Sequence, residues 1–214
     1  MQQEYTPHTQ PSNISPNMPV KPSKEHIKSI LSTVGILVVA PVIAILLTMY
    51  VFRSYQVDGP SMQQTLQNED RLIIWKLPRT WARITGHDFI PERGEIIVFK
   101  ETETLATGRT KEQELIKRVI ALPGERIVIN SGIITVYNGS HPDGFQPDKD
   151  FDFSDSIPRT DGNIDLVVPD GKVFVCGDNR TNSKDSRVLG PIDADNIIGE
   201  LKVRITPVGD ARFF

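Results

Sequence analysis

The sequence has 214 residues, and its 24 lysines and arginines against 27 aspartates and glutamates give a net charge of −3 at pH 7. A chain of this length forms one domain with additional segments, and it lacks the basic excess with which nucleic-acid-binding proteins neutralise phosphates. The single cysteine excludes an intrachain disulfide and a zinc site built from several cysteines. We therefore expect no nucleic-acid partner, no metal and no cofactor.

The first 28 residues have the composition of a disordered tail. Residues 1–22 contain five prolines among glutamine, serine, asparagine and threonine. Such a segment cannot bury enough apolar surface to offset the entropy lost on ordering. Residues 1–28 are therefore predicted to be a disordered tail.

Residues 29–52 are predicted to be a membrane anchor, because these 24 residues carry no charged side chain. As a helix they would extend about 36 Å, enough to cross a hydrocarbon core of about 30 Å with some tilt. Pro41 is compatible with a helix in lipid, where local distortion can satisfy the freed carbonyl. A cleaved signal peptide and a buried core helix are the alternatives, but the first is shorter and the second is rarely apolar on every side.

The charges on either side of the apolar segment predict its orientation. Residues 1–28 have a net charge of +1, with Lys24 and Lys28 next to the apolar run, whereas residues 53–214 have a net charge of −4. Positive residues near a membrane span favour the cytoplasmic side. We expect a single-pass protein of the cytoplasmic membrane, with a cytoplasmic N-terminus and residues 53–214 outside.

The part after the anchor is predicted to be mainly β, as one sandwich or partly open barrel, because short β-rich runs alternate with turn signals. The turn Pro169-Asp170-Gly171 predicts a hairpin between the last two runs. Residues 139–163, rich in Asp, Pro, Ser and Gly, read as a surface excursion without a core of its own. The predicted strands cover residues 94–99, 115–122, 125–130, 132–138, 164–168 and 172–176.

Three polar features of this β region are candidates for chemistry. Ser61 follows a Gly-Pro turn, where serine is usually only a turn residue. Lys117 and Arg118 are adjacent in an otherwise apolar strand, and a buried cation must be paired or lose its charge. The third feature, GDNRTNSKDSRVLGPI at 177–192, is predicted to be a loop held by its own side-chain hydrogen bonds.

Together these segments resemble the type I signal peptidases, which are membrane-anchored proteases with a Ser/Lys dyad. The resemblance rests on GPSMQQTL at 59–66, RGEIIVF at 93–99, KRVIALPGE at 117–125 and GDNRTNSKDSR at 177–187. It implies a β-rich catalytic domain over residues 53–214. It also implies an endopeptidase that removes signal peptides from exported preproteins at sites preceded by small residues.

Carried over residue by residue, the resemblance implies that Ser61 is the nucleophile and Lys117 its general base. Ser183 would orient the lysine amine, and Gly59 and Met62 would contact the substrate. The resemblance further implies two bracing ion pairs, Arg118 with Asp178 and Arg187 with Asp185. A lysine among apolar neighbours loses its proton more readily than a lysine in water, so the proposed base is physically reasonable.

Two positions depart from the family pattern. The family commonly has proline where this chain has Gln64, and some members have a serine oxyanion donor at the position of Gly59. The backbone N–H of Ser61 would then stabilise most of the oxyanion. His87 and His141 are predicted to be surface residues, and Cys176 a small buried residue.

Two other functions are compatible with parts of this pattern. A self-cleaving Ser/Lys repressor shares the dyad and the β fold, but it needs a DNA-binding domain for which residues 1–28 are too short. An anchored β-domain used for adhesion or binding, with Ser61 and Lys117 incidental, is the non-enzymatic alternative. Loss of preprotein cleavage in variants of either residue separates an enzyme from a binding module.

Overall fold

The computed structural model describes residues 24–104, 108–149, 157, 159–206, 209 and 211–214. The first helix, α1, spans Lys24–Tyr50 and contains Pro41 without interruption. Its segment Ser32–Tyr50 is long and apolar enough to cross a membrane, with a mean hydropathy of 2.4. The predicted tail lies outside the described residues except for residues 24–28, which are the first residues of α1. The chain divides into two compact units after Ile43.

The unit from Ala44 onward is mainly β, as predicted. Its strands are rich in isoleucine, valine, phenylalanine and threonine, which suit a pleated and half-buried backbone. The two short helices among them are α2, Leu77–Thr85, and α3, Ser186–Leu189. The strands are β1 Phe52–Gln56, β2 Arg71–Trp75, β3 Ile96–Thr104, β4 Thr110–Ala121, β5 Arg126–Asn130, β6 Ile133–Asn138, β7 His141–Phe145, β8 Ile164–Val167, β9 Lys172–Cys176, β10 Ile192–Asp193, β11 Ile197–Thr206 and β12 Arg212–Phe213.

The described strands form two sheets. The larger sheet has the order β1-β2-β11-β3-β4-β9-β10, with β12 paired to β11, and the smaller sheet has the order β7-β6-β5-β8. All the pairings within both sheets are antiparallel. The strand β4 lies between β3 and β9, so the Lys117-Arg118 pair is in the interior of the larger sheet and not at its edge.

The central part of the larger sheet is buried on both faces, which explains the nearly continuous apolar runs there. Because successive side chains of a strand point to opposite faces, Ile96 and Val98 join one apolar cluster while Ile97 and Phe99 join another. A third cluster joins β9 to the smaller sheet, with Phe174 and Cys176 packed on residues of β5 and β6. The fold therefore has several apolar clusters, whereas a simple two-sheet sandwich has one.

The six predicted strands are present, but the predicted hairpin is wrong. The strand β8 pairs with β5 in the smaller sheet, whereas β9 pairs with β4 and β10 in the larger one. The turn at Pro169-Asp170-Gly171 therefore carries the chain from one sheet to the other. Gly171 has a φ of 71°, a backbone conformation that favours glycine, so the predicted turn does form. The strands that it joins, however, do not pair with each other.

The described part of residues 139–163 lies mainly at the surface, as predicted, but it contains ordered structure and two buried residues. His141–Phe145 is the edge strand β7, and Pro147–Lys149 forms a 3-10 turn with Pro147 buried. Thr160 is buried as well. Two of its polar groups, Asp148 and Thr160, bind a buried arginine, Arg180, and attach the segment to the loop after β9. Residues 150–156 and 158 lie outside the described residues.

Candidate active site

Ser61 lies on a tight turn between β1 and β2, as the Gly-Pro sequence predicts. The turn is closed by hydrogen bonds from Gln63 N to Pro60 O, 3.0 Å, and from Leu66 N to Met62 O, 2.9 Å. Gly59 has a φ of 102°, which favours glycine and allows the chain to enter the turn. The side chain of Met62 is packed into an apolar cluster beneath the turn, so it fixes the position of Ser61 from below.

Lys117 on β4 donates a hydrogen bond to Ser61 Oγ, with 2.8 Å between Nζ and Oγ. Its amine also donates to the carbonyl of Ile116 at 2.8 Å, and the residue is 2% exposed. Burial lowers the pKa of Lys117 from 10.5 to about 8, although the carboxylates of Asp185 and Asp178 oppose the shift. The arrangement brings a readily deprotonated amine within proton-transfer distance of a serine hydroxyl.

The predicted ion pair between Arg118 and Asp178 is present and buried. Arg118 Nε and Nη2 donate to the two carboxylate oxygens of Asp178 at 2.9 and 2.7 Å. Thr65 Oγ1 donates to the same carboxylate at 2.6 Å, and Arg118 Nη1 donates to Gly94 O at 2.6 Å. The ion pair therefore connects strand β4 to the turn of the serine and to the loop after β9.

The second predicted pair, Arg187 with Asp185, is also present. Arg187 Nε and Nη2 each lie 2.8 Å from an oxygen of the Asp185 carboxylate, which also accepts from Gly177 N at 2.9 Å. Burial alone would raise the pKa of Asp185, but the hydrogen bond and the charge of Arg187 outweigh it and lower that pKa. Asp185 therefore stays ionised and holds the start of the loop.

The structure adds two residues that the sequence analysis did not select. Asn179 donates from its backbone N to Ser61 O at 3.0 Å and from Nδ2 to Pro60 O at 3.1 Å. A side chain at Gly177 would place its Cβ 2.4 Å from Ser61 O and 2.3 Å from Ser183 Oγ, so only glycine fits there. Both residues lie in the GDN segment. Their contacts with the backbone of the serine turn leave no recognisable pattern in the sequence.

Ser183 is close to the dyad, but its predicted hydrogen bond to Lys117 is not present in the described part of the chain. Its hydroxyl oxygen is buried and forms no hydrogen bond of standard geometry there, but it is near the Asp185 carboxylate and helps to lower the pKa of that group. The described hydrogen bonds of the Lys117 amine go to Ser61 and Ile116. Ser183 lies against Gly177, and Gly177 is the first residue of the loop that carries Asp178 and Asp185.

A cavity of about 110 Å³ opens beside Ser61 and Lys117. Its walls come from β1, β2, β3 and β4 and from the turn of the serine, and most of them are apolar. A cavity of this size accepts a small side chain. The lining residues other than the dyad are Tyr55, Gln56, Val57, Asp58, Leu72, Val98, Glu114, Leu115 and Ile116.

The remaining candidates for chemistry do not form a second centre. Within the described ranges, no group of three or more His, Cys, Asp or Glu residues has the arrangement of a metal site. His87 and His141 are exposed, as predicted. Cys176 is free and fully buried, also as predicted, and burial raises the pKa of its thiol.

Comparison with known proteins identifies the class as a peptidase. A family model described as "Signal peptidase, peptidase S26" matches residues 28–206. The chain is 35% identical over 206 residues to Signal peptidase I of Leptolyngbya laminosa, covering 95% of this chain and 90% of that protein. It is 31% identical over 186 residues to Signal peptidase I P of Bacillus subtilis subsp. natto, covering 86% and 93% of the two chains.

The chain belongs to the signal peptidase family, and its substrates are preproteins that carry signal peptides. Among solved structures, a signal peptidase I from Enterococcus faecalis matches with 23% identity and a TM-score of 0.38. That match covers 54% of this chain and 99% of the other.

Proposed function

We propose that this chain is a membrane-anchored signal peptidase in which Ser61 is the nucleophile and Lys117 is its general base. The observation that carries the proposal is the 2.8 Å hydrogen bond between the buried Lys117 amine and Ser61 Oγ. A neutral amine at that distance can accept the hydroxyl proton as the oxygen attacks a carbonyl. The pKa of about 8 keeps a useful fraction of the amine neutral near physiological pH.

The reaction then follows from the positions of these two groups. Ser61 Oγ forms a bond to the scissile carbonyl carbon while its proton moves to Lys117 Nζ. The ammonium returns that proton to the leaving amine as the peptide bond breaks, which leaves an ester on Ser61. Lys117 next takes a proton from water as the water oxygen bonds to the ester carbon. The bond from that carbon to Ser61 Oγ then breaks, the proton returns to Oγ, and the product leaves with a new carboxyl group.

The oxyanion in this scheme is stabilised by backbone. The N–H of Ser61 donates no hydrogen bond within the described residues, so it is available to the substrate carbonyl oxygen. Gly59 offers no hydroxyl for this purpose. Arg118, Asp178, Asp185 and Arg187 support the dyad by holding β4, the serine turn and the loop after β9 in register.

The substrate is proposed to bind as an extended strand beside β4 and the serine turn, with small side chains before the cleavage site. An extended peptide can pair with exposed backbone while alternate side chains enter pockets. The 110 Å³ cavity is small enough to exclude large side chains. Of the predicted substrate contacts, Gly59 lies at the turn, whereas Met62 can offer only its backbone, because its side chain is 1% exposed.

The anchor is proposed to be α1, with the N-terminus in the cytoplasm and the β unit outside. The 19-residue apolar span and the positive charges that precede it support this topology. Anchored enzyme and membrane-inserted preprotein then share one surface, so weak peptide binding is sufficient.

The dyad is tested by substituting each member in the full chain and measuring preprotein cleavage in vesicles. Ser61→Ala and Lys117→Met are expected to reduce the single-turnover rate at least a thousandfold. Ser61→Ala should leave thermal unfolding unchanged, and Lys117→Met should not unfold at a lower temperature than the parent. Ser140→Ala and Lys100→Met, which change exposed residues of the same types, serve as matched controls and keep the rate. Cleavage retained by either dyad variant would disprove the mechanism.

A further inference from the structure

The helix α2, Leu77–Thr85, presents its apolar side to the outside. Leu77, Trp81 and Ile84 are 39%, 65% and 73% exposed. Their spacing of four and three residues places all three on one side of the helix. None of the nine residues of α2 is buried, so the apolar side does not contribute to the core. A surface helix of a globular protein normally has the opposite arrangement.

The polar side of α2 is the side that contacts the protein. Arg79 donates a hydrogen bond to the carbonyl of Asp195. Arg79, Ala82 and Arg83 line a small crevice together with Ala194 and Asp195. The helix therefore directs Arg79 toward the protein and its apolar side outward, while Arg83 is exposed beside the apolar side. This arrangement indicates an apolar environment beyond the protein surface.

The start of α2 is fixed to the end of the apolar helix α1. Lys76 donates from its backbone N to Val51 O at 2.8 Å and from Nζ to Met49 O. Thr80 Oγ1 donates to Tyr50 O at 3.0 Å. The chain thus begins α2 directly beside the point at which the apolar helix ends.

The charges around α2 match a lipid surface. Residues 76–87 contain Lys76, Arg79 and Arg83, and the first acidic residue after them is Asp88; of the three cations, Arg83 is exposed. Cations that flank an apolar helix face are attracted to anionic lipid headgroups, and tryptophan is enriched at the membrane–water interface. A protein partner would need no such combination beside a membrane span.

We propose that α2 is an interfacial helix that inserts Leu77, Trp81 and Ile84 into the headgroup and acyl boundary of the membrane. The proposal rests on the proposed role of α1 as the anchor. A single spanning helix leaves the β unit free to rotate about it, whereas a second contact limits that rotation. The interfacial helix would therefore hold the Ser61 site in one orientation toward membrane-bound preproteins.

Tryptophan fluorescence of the full chain tests the position of α2, because the chain has only two tryptophans. In Trp75→Phe, Trp81 becomes the single reporter. After reconstitution into vesicles of phosphatidylglycerol and brominated phosphatidylcholine, its emission is expected to fall at least twofold relative to unbrominated lipid. The exposed reference is His141→Trp in a chain lacking both native tryptophans, whose emission should be quenched by acrylamide and not by bromine.

The proposal would be overturned if acrylamide quenches the emission of Trp81 as it does that of the reference and brominated lipid does not quench it. Trp81 shielded from both quenchers would also overturn it, because a second copy or another protein would then cover the helix. Recovery of the chain in the membrane pellet after alkaline carbonate extraction tests the anchor separately. A chain absent from that pellet would disprove the anchor, whereas a pelleted chain with unquenched Trp81 would disprove only the interfacial helix.

Ile84→Glu tests the consequence for catalysis. We expect cleavage of a vesicle-inserted preprotein to fall at least threefold, while cleavage of a short soluble peptide in detergent stays unchanged. Val188→Glu, on an equally exposed valine of α3, is the matched control and should leave both rates unchanged. Equal loss on both substrates in Ile84→Glu would indicate a folding defect or a role in the chemistry, and would contradict the proposal.

Discussion

At the scale of single residues, the balance of two opposing effects on Lys117 decides whether it can act as a base. The nearby carboxylates of Asp178 and Asp185 favour the protonated amine, but burial favours the neutral amine more strongly. Both carboxylates are already bound to arginines, Arg118 and Arg187, which reduces their pull on the lysine. The two ion pairs thus support the proposed chemistry without touching the reacting atoms.

The burial of Lys117 predicts a stability that depends on pH. Since one pKa unit corresponds to about 1.4 kcal/mol, the fall from 10.5 to about 8 costs the folded protein about 3 kcal/mol while the amine is protonated. The unfolded chain binds more protons between these two pH values, so folding stability rises with pH through this window. Lys117→Met removes the cost and is expected to be more stable than the parent at pH 7.

Thermal unfolding of the parent and Lys117→Met at pH 7 and pH 10 measures this effect. Most of the advantage of the variant should disappear by pH 10. Lys100→Met is the control, because Lys100 is an exposed lysine paired with Glu112 and should show no such change. An advantage of Lys117→Met that is the same at both pH values would contradict the lowered pKa.

Gln64 is a strained position that the sequence alone did not reveal. Its φ is 93°, a region that costs a residue with a Cβ about 1–2 kcal/mol. Gln64→Gly is therefore expected to raise the free energy of unfolding by about 1 kcal/mol. Proline, which the family commonly has here, requires φ near −65°, so Gln64→Pro should lower the melting temperature. Gln67→Gly, at a neighbouring exposed position, should give no gain, and a gain equal to that of Gln64→Gly would refute the strain.

The site residues differ in how far the sequence could predict them. Ser61, Lys117 and the two ion pairs are predicted by the resemblance to the type I signal peptidases, and the structure brings these side chains together. Gly177 and Asn179 were not selected, since a Cβ clash and hydrogen bonds to backbone become visible only when the serine turn meets the loop. The resemblance implies a substrate contact for Met62, but the turn directs its side chain into the core.

At the scale of elements, local composition predicted the strands but not their partners. The strands β8 and β9 are separated by a short turn of the type expected in hairpins, yet each pairs elsewhere because apolar clusters on two sheets select them. The helix α2 was missed because it is short and its apolar side does not face the core. Which strands pair, and which side of an element faces solvent, depend on the assembled fold. A short stretch of sequence does not contain this information.

The ion pair between Asp148 and Arg180 connects the 3-10 turn after β7 to the loop that follows β9. Both contacts between the guanidinium and the carboxylate are 2.5 Å, and the Arg180 side chain is fully buried. Asp148→Ala leaves this buried charge without its carboxylate and should cost about 3–5 kcal/mol of stability. The control Asp165→Ala removes the partner of Arg126 in an exposed pair and should change little.

Chemical denaturation of the two aspartate variants in detergent micelles decides this prediction. If Asp148→Ala and Asp165→Ala unfold at the same denaturant concentration, the buried pair does not hold the two sheets together. A larger loss in Asp148→Ala, with preprotein cleavage falling in parallel with the folded fraction, is the expected result. The segment around Asp148 would then be a structural part of the enzyme.

At the scale of the whole molecule, the charge asymmetry on either side of the apolar helix predicts which part faces the cytoplasm. Cys176 is the only cysteine in the sequence and is fully buried, so the parent chain should not react with a membrane-impermeant maleimide. In intact cells, Ser140→Cys is expected to react. Ser12→Cys should react only after the cells are permeabilised, and labelling in the reverse order would contradict the proposed topology.

The most direct test of the account is the pH dependence of kcat/KM for preprotein cleavage by the full chain in vesicles. Since only the neutral amine of Lys117 can accept the Ser61 proton, activity should rise with pH and level off above an apparent pKa of about 8. A rate that is independent of pH from 6 to 9, or that rises only near the ordinary lysine value of 10.5, would contradict the Ser61–Lys117 mechanism.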